Sequence, residues 1–488
     1  MLLSLVNFLS FGIPGAQKFF SQRLDHFNPL DKRVFMQRYY ENDQYSEKNK
    51  TKSIIIYVGG ESELYSTSIT KGSVIKLAEM TKSMIFGLEH RFFGVSHPFS
   101  YLNRTSYQYN TVRQALEDIS SFILSKKSEF CMNSSCSVTI IGGSYPGSLS
   151  SWFRQQYPFL ANFSWSSSAP IHIVNDFPAY DEHCRRVLES HCLQCYSNSK
   201  KILDKYHKGI ETKNSSILNI LYTEYGFHSN MHPASILSIL ADVISWAIQY
   251  DNSFNLISTY CQFQSQLEPN ETAYKDLFFG IQQKINQTSE QMDMMSLTNE
   301  DPLDSMASSR SWTWITCNEL GWFQTSSGFK SKWINMTYYD AVCQKLFGIG
   351  TPKLTESIGF GDQSPESSFI VYTNGLNDPW STLGIKNTNP RNEQYQYWIE
   401  GGSHCSDLKD QTMNDSPSLI SIRNSIIKQL HNWISNLDNC GEGKMIMGKC
   451  MCNQNHGGIH CEKKTVKRSH IVLLVSILMT ILAVIMLV

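Results

Sequence analysis

Ser144 stands between a β-branched run, Ser137-Val138-Thr139-Ile140-Ile141, and the small-residue stretch Gly142-Gly143-Ser144-Tyr145-Pro146-Gly147. Such a turn can swing the chain from strand into helix and lift a hydroxyl clear of the sheet, the geometry of a nucleophile elbow. Pro146 departs from the Gly-x-Ser-x-Gly pattern but fits early in a helix, where its missing amide has no intrahelical partner. Serine is a poor nucleophile at neutral pH and needs a base, and the base needs an acid to orient it. A strand-like run Ser368–Thr373 leads into Asn374-Gly375-Leu376-Asn377-Asp378-Pro379-Trp380, and a second, Gln394–Ile399, leads into Glu400-Gly401-Gly402-Ser403-His404. Serine, acid and histidine thus occur in hydrolase order, the last two each just past a strand. His404 would take the proton of Ser144, and Asp378 would fix its tautomer and stabilise the imidazolium. Asp362 precedes its strand and Asp407 follows His404 too closely, so Asp378 is the favoured acid. The plain alternatives are a surface serine, an aspartate capping a helix and a histidine in a turn.

An oxyanion hole draws one amide from the residue after the nucleophile, here Tyr145, and one from an earlier strand-to-helix loop. Ser53–Val58 reads as a buried strand, and Gly59-Gly60-Glu61 follows it, so Gly60 or Glu61 supplies the second donor. Trp312, Trp314, Trp322 and Phe323 form an aromatic stretch that would pack a proline ring or fill the core. Glu319 among them would bind a terminal amine or orient another side chain. Glu89-His90-Arg91 lacks zinc-helix spacing, and a structural ion pair from Glu89 or Arg91 to another loop is expected. No Walker loop, dinucleotide fingerprint or calcium loop is present, so neither cofactor nor metal is expected.

Further signatures are Gln22-Arg23-Leu24-Asp25-His26-Phe27, Glu89-His90-Arg91-Phe92-Phe93-Gly94, Thr316-Cys317-Asn318-Glu319-Leu320-Gly321 and Gly402-Ser403-His404-Cys405. With the serine and aspartate motifs they span residues 19–438, and together they resemble the S28 family of serine carboxypeptidase-like peptidases. That family groups prolyl carboxypeptidase, dipeptidyl peptidase II and thymus-specific serine protease. Cys405 is closer to the thymus-specific branch. The resemblance implies Ser144, Asp378 and His404 as the triad, an α/β-hydrolase domain interrupted by a mainly helical cap, a luminal or secreted location, preference for proline before the cut bond, and homodimerisation.

The elements that must position these residues divide as follows. Residues 1–16 read as a signal peptide, although the usual basic start is missing. The hydrolase domain spans 17–174 and 351–438, with the helical cap at 175–350. Residues 439–462, with Cys440, Cys450, Cys452 and Cys461, resemble a truncated EGF-like module. A basic linker at 463–470 precedes the apolar stretch 471–488, which at about 1.5 Å per residue spans a thin bilayer as a helix or serves as an anchor signal. Basic residues before the span run against the positive-inside pattern for a luminal domain. The expected location is the secretory pathway, at the surface or a lysosome-like membrane.

The 488 residues carry 13 cysteines and a formal net charge of −1. So many cysteines fit an oxidising compartment, and local crosslinks are expected for the pair Cys131 and Cys136 and the group Cys184, Cys192 and Cys195. Glycosylation sequons occur at Asn103, Asn133, Asn162, Asn214, Asn270, Asn286, Asn335 and Asn414. Near-neutral charge offers no field for nucleic acid. Three functions follow: a serine exopeptidase cutting after proline in short peptides, a carboxylesterase or lipase with the same triad, and an inactive surface binding protein.

Overall fold

The computed structural model describes residues 14–46, 51–131, 136–353, 357–360 and 362–437, and the backbone of 443–446, 449–452, 456–457 and 463–464. Its strands are β1 (Ala16–Arg23), β2 (Val34–Asn42), β3 (Ser53–Val58), β4 (Met84–Leu88), β5 (Ser137–Gly143), β6 (Phe163–Ser167), β7 (Val174–Asp176), β8 (Gly321–Phe323), β9 (Ile370–Gly375) and β10 (Gln394–Ile399). Eight form one sheet in the order β1-β2-β4-β3-β5-β6-β9-β10, while β7 and β8 pair separately. β1 and β4 run antiparallel to β2, and all other pairings in the large sheet are parallel.

The sequence explains that division. Parallel strands are covered on both faces and must be apolar on both; Ile54, Ile55, Ile56, Ile85, Phe86, Val138, Ile140 and Ile141 are all buried. The edge strand β1 is largely exposed. Tyr145–Gln156, the helix after β5, is fastened by Ser150 Oγ, which donates to Ile140 O at 3.0 Å and meets Ser164 Oγ at 2.7 Å. Mixed sheet, crossover helices and strand order make this an α/β-hydrolase-like fold.

Helices from Pro178 to Phe347 lie between β6 and β9. Pro233–Gln249 carries Ile236, Leu237, Ile239, Leu240, Val243, Ile244 and Ile248, all buried. A helix apolar all round belongs inside a core, and this one lies at the heart of the insertion. Residues through Gln429 form one compact unit, so sheet and insertion are not separate bodies. A second unit starts at Leu430; in it Gly443–Ile446 pairs antiparallel with Lys449–Cys452.

The disulfides correct one expectation. Cys131 bonds Cys136, but Cys195 reaches Cys261 across 66 residues, and Cys317 bonds Cys343. Cys184, Cys192 and Cys405 are free. Local crowding in sequence misled because Cys192 and Cys195 lie at the start of one helix, where the Cys192 sulfur accepts the Cys195 amide instead of bonding it. Several sequon asparagines have a structural use: Asn103, Asn214, Asn270 and Asn335 each cap a helix through the side chain. Asn162 is buried and accepts the Val138 amide at 2.8 Å, a setting at odds with a glycan. Asn286, Asn335 and Asn414 are exposed.

Residues 1–13, Asn133, most of 439–462 and the apolar stretch 471–488 lie outside the described residues, and with them most of the expected signal peptide and EGF-like module and the whole of the expected membrane segment. Among the described residues no helix is long and apolar enough to cross a membrane.

Candidate active site

β5 ends at Gly143, and a helix begins at Tyr145, leaving Ser144 between them at φ +64° and ψ −136°. Positive φ is costly for a residue with a side chain, and such strain collects where geometry serves chemistry. Ser144 N donates to Ser167 O at 2.9 Å, and Ser148 N to Ser144 O at 3.1 Å. A Cβ on Gly142 would stand 2.1 Å from Pro146 O, and one on Gly147 2.7 Å from Ser167 O. Gly147 thus supplies the close approach that Pro146 cannot, which accounts for the departure from the five-residue motif.

Glu89-His90-Arg91 buttresses this turn. His90 Nδ1 donates to Arg91 O at 2.7 Å, and Nε2 accepts from the Tyr145 hydroxyl at 3.0 Å. Burial holds the His90 pKa down to about 4, so the ring is neutral. Glu89 pairs with Arg38, and Arg91 with Asp118 through two contacts of 2.7 and 2.6 Å. Both residues thus form structural ion pairs as expected, but with partners on β2 and on the helix Val112–Phe130 instead of another loop; the support that His90 gives the elbow was not foreseen.

Asp378 follows β9 and uses its two oxygens differently. Oδ1 accepts from Trp380 N at 3.0 Å, capping the turn Pro379–Leu383, while Oδ2 meets His404 Nδ1 at 2.7 Å. One carboxylate thus meets both the capping and the orienting readings. Its side chain is fully buried, and that of His404 is 4% exposed. His404 Nε2 is buried and carries no hydrogen bond. Burial alone would lower the His404 pKa, but the charge of Asp378 and its hydrogen bond to the ring outweigh it, so the imidazole is raised well above 6.5. The loops after β9 and β10 are knitted together: Asn377 N donates to Gly402 O at 2.9 Å, and Leu376 N to Ile399 O at 3.0 Å.

The competing acids are engaged elsewhere. Asp362 is exposed and pairs with His172. Asp407 accepts from Trp165 Nε1 at 2.9 Å, Ser167 Oγ at 2.5 Å and Thr373 Oγ1 at 2.6 Å, stitching β6 to β9.

The amide of Tyr145 and that of Glu61, one of the two alternatives for the second donor, both act on one group, the carboxylate of Glu61 itself. Burial raises its pKa, opposed by its own amide, the Ser144 hydroxyl, the charge of His404 and the Tyr145 amide. The side chain thus lies where a substrate oxygen would be stabilised. From the sequence only the amide of Glu61 is expected to act here, and its carboxylate leaves no local sign. Gly60 packs on the elbow: a Cβ there would stand 2.2 Å from Pro146 Cγ.

The aromatic stretch divides in two. Trp314 stacks on Tyr107 at 5.4 Å and donates to Asn110 O at 3.1 Å; Phe323 stacks on Tyr339 at 4.8 Å. Both are core, the second of the two readings the stretch allows. Trp312 is half-buried and lies 5.4 Å from the Tyr145 ring. A line of rings continues from Trp312 to Trp322 (6.2 Å), Trp380 (6.0 Å) and His404 (6.5 Å). Glu319 accepts the Val112 amide at 2.7 Å, at the start of the helix Val112–Phe130, a use that competes with binding a substrate amine. A cavity of about 230 Å³ lined by Arg33, Phe99, Tyr101, Asn103 and Tyr109 contains none of these residues. Among the described residues no group of three or more His, Cys, Asp or Glu side chains could hold a metal ion.

The chain is 28% identical to thymus-specific serine protease of Mus musculus over 456 residues, covering 87% of this chain and 89% of that protein. It is 25% identical to lysosomal Pro-X carboxypeptidase of Mus musculus over 441 residues, covering 85% and 88%. It also aligns with the solved structure of an acetylester hydrolase from Corynebacterium glutamicum at 10% identity over 87% of this chain and 95% of that one, with a TM-score of 0.37, a likeness too low to add to the topology above. The family model for serine carboxypeptidase S28 matches residues 22–426. With the match running from β1 to the helix after His404, the chain belongs to the serine carboxypeptidase S28 family of serine-type peptidases.

Proposed function

We propose that this protein is a serine exopeptidase that cleaves after proline in short peptides through Ser144, Asp378 and His404. The observation that carries the reading is the Asp378–His404 pair, with Nδ1 occupied at 2.7 Å and a buried Nε2 carrying no hydrogen bond, together with a serine held at φ +64° in the strand-to-helix turn and a Glu61 carboxylate that meets both Ser144 and His404. Ser144 attacks the carbonyl carbon, His404 Nε2 takes the hydroxyl proton and passes it to the departing amine, and the acyl-enzyme is then hydrolysed by water activated by the same imidazole. The Tyr145 and Glu61 amides stabilise the alkoxide, typically by about 3 kcal/mol per donor.

Proline selectivity is supported by the half-buried Trp312 against Tyr145, a flat apolar face one residue from the nucleophile. It is further supported by a relative named a Pro-X carboxypeptidase. Three disulfides, with that relative's lysosomal name, support a lysosomal or secretory location; the apolar stretch 471–488 is the segment that would tether it to a membrane.

The test is turnover of amino-blocked and amino-free peptides that differ only in proline beside the cleavage point, by the full chain and by Ser144→Ala. Product masses should show cleavage after proline, lost by about 10⁴-fold or more in the variant. No Ser144-dependent cleavage anywhere from acidic through neutral to alkaline pH would reject the reading.

A further inference from the structure

The loop that carries His404 is poorly suited to hold it. Glu400-Gly401-Gly402-Ser403 contains two glycines, and Gly401 adopts φ +64°, so its backbone is free to wander unless something ties it. The loop after β9 gives one tie, Asn377 N to Gly402 O at 2.9 Å, and the helical insertion gives the rest. Where the helix Pro233–Gln249 ends, Gln249 O accepts the His404 amide at 2.8 Å. Its side-chain Oε1 accepts from Trp380 Nε1 at 3.0 Å and from the Tyr180 hydroxyl at 2.7 Å. Trp380 is the residue whose amide Asp378 caps, so one glutamine touches both the acid's loop and the histidine's.

Three residues on, Asn252 closes the grip. Its Oδ1 accepts the Ser403 amide, its own amide donates to Ser403 Oγ at 3.0 Å, and its Nδ2 donates to Gly401 O at 3.3 Å. Between them Tyr250 sets its ring edge-on to the imidazole, 5.9 Å away at 83°. The helix that delivers this turn is itself immobilised: Tyr274 donates to Leu240 O at 2.5 Å, and Lys330 pairs with Asp242 at 2.7 Å.

We infer that the insertion is a working part of the catalytic centre and that Gln249 and Asn252 are positioning residues that hold His404 in register with Asp378. The inference rests on the proposed roles of those two residues. A covering lid alone would govern access, whereas this clamp governs alignment. A misplacement of about 1 Å at a reacting group costs on the order of 10²-fold in rate.

The test uses the full chain and two readouts, turnover of a prolyl peptide and the rate at which an organophosphonate labels Ser144. Gln249→Met keeps the volume and the carbonyl on the His404 amide but removes the side-chain acceptor of Trp380 and Tyr180, loosening the loop of Asp378 against that of His404. Gln249→Glu restores an acceptor for both donors. Asn252→Ala lies at an exposed position and leaves the core intact. Expected are a fall of about 10- to 100-fold in kcat for Gln249→Met and about 5-fold for Asn252→Ala, with KM unchanged, labelling slowed in parallel, and recovery to within about 5-fold of wild type in Gln249→Glu. The acid limb of the kcat profile should move down in Gln249→Met as the imidazole loses its alignment with Asp378. The inference is overturned if Gln249→Met and Asn252→Ala stay within 2-fold of wild type, or if only KM changes. It also falls if the Met and Glu variants lose activity equally while retaining wild-type thermal unfolding. Should Gln249→Met fail to fold, Asn252→Ala decides. Labelling of Ser144 without peptide turnover would reject the peptidase reading and leave the clamp testable by labelling rates.

Discussion

The serine side and the histidine side of this site are built in opposite ways. The turn of Ser144 is shaped by its neighbours in sequence, β5 before it, a helix after it and Gly142 and Gly147 allowing the backbones to close, and is only braced from outside by Ser167 and His90. His404 is placed by residues from four separate stretches, its own loop, the Asp378 loop, the helix holding Tyr180 and the turn Gln249–Asn252. A local device announces itself as a motif; a distributed one does not. The two sides should therefore fail differently, the serine side through folding and strain, the histidine side through alignment with the fold intact.

The largest effect that bears on this contrast is Asp378→Asn, which should lower kcat by about 10³- to 10⁴-fold while the chain still folds, because the amide keeps the shape and loses the charge. Its pH profile carries a sign. Since the wild-type imidazole is raised well above 6.5, largely against burial and by the Asp378 charge, wild-type activity should fall as pH drops through that raised value, where His404 becomes protonated and useless as a base. In Asp378→Asn the residual activity should persist to lower pH. Measuring kcat/KM across pH for both chains checks this, and coincident acid limbs would contradict it. By linkage, a raised histidine stabilises the fold fully below the unfolded value near 6.5 and loses that contribution as pH rises through the folded one.

Gly142→Ala should act on the serine side through stability, because the added Cβ meets backbone at 2.1 Å. Overpacking costs about 1–3 kcal/mol and more when backbone must move, so the thermal midpoint should drop by several degrees, checked by scanning calorimetry. An unchanged midpoint would mean the elbow tolerates what its geometry forbids.

Cys405 probes the seam between the two sides. Its thiol is free and partly exposed, and it lies 2.8 Å from where a Cβ on Gly143 would be. Methanethiolsulfonate treatment should cut activity more than 10-fold through crowding of Ser144 and His404, and Cys405→Ser should resist it; equal inactivation of both chains would point to another thiol. The smallest effect is Trp312→Ala, expected to raise KM for prolyl peptides about 3- to 10-fold with little change in kcat, and a kcat loss instead would make the ring part of the elbow's support.

Much of the fold was legible because parallel strands buried on both faces must read as runs such as Ile54-Ile55-Ile56. Asp378 was legible through its place after a strand, and its two-oxygen use was not, because capping and charge pairing look alike in sequence. The disulfide of Cys195 went unread because loop closure over 66 residues leaves no local trace. Trp314 and Phe323 read in sequence like Trp312 and Trp322, as pocket or as core, and packing against Tyr107 and Tyr339 separates them.

By itself the sequence determined the hydrolase order of serine, acid and histidine, the sheet and the elbow, because each is written in adjacent residues whose chemistry and periodicity act over a few ångströms. Tertiary structure alone decided that the Glu61 carboxylate faces Ser144 and that Gln249 reaches the His404 loop, because side chains distant in sequence meet only when packing brings their elements together.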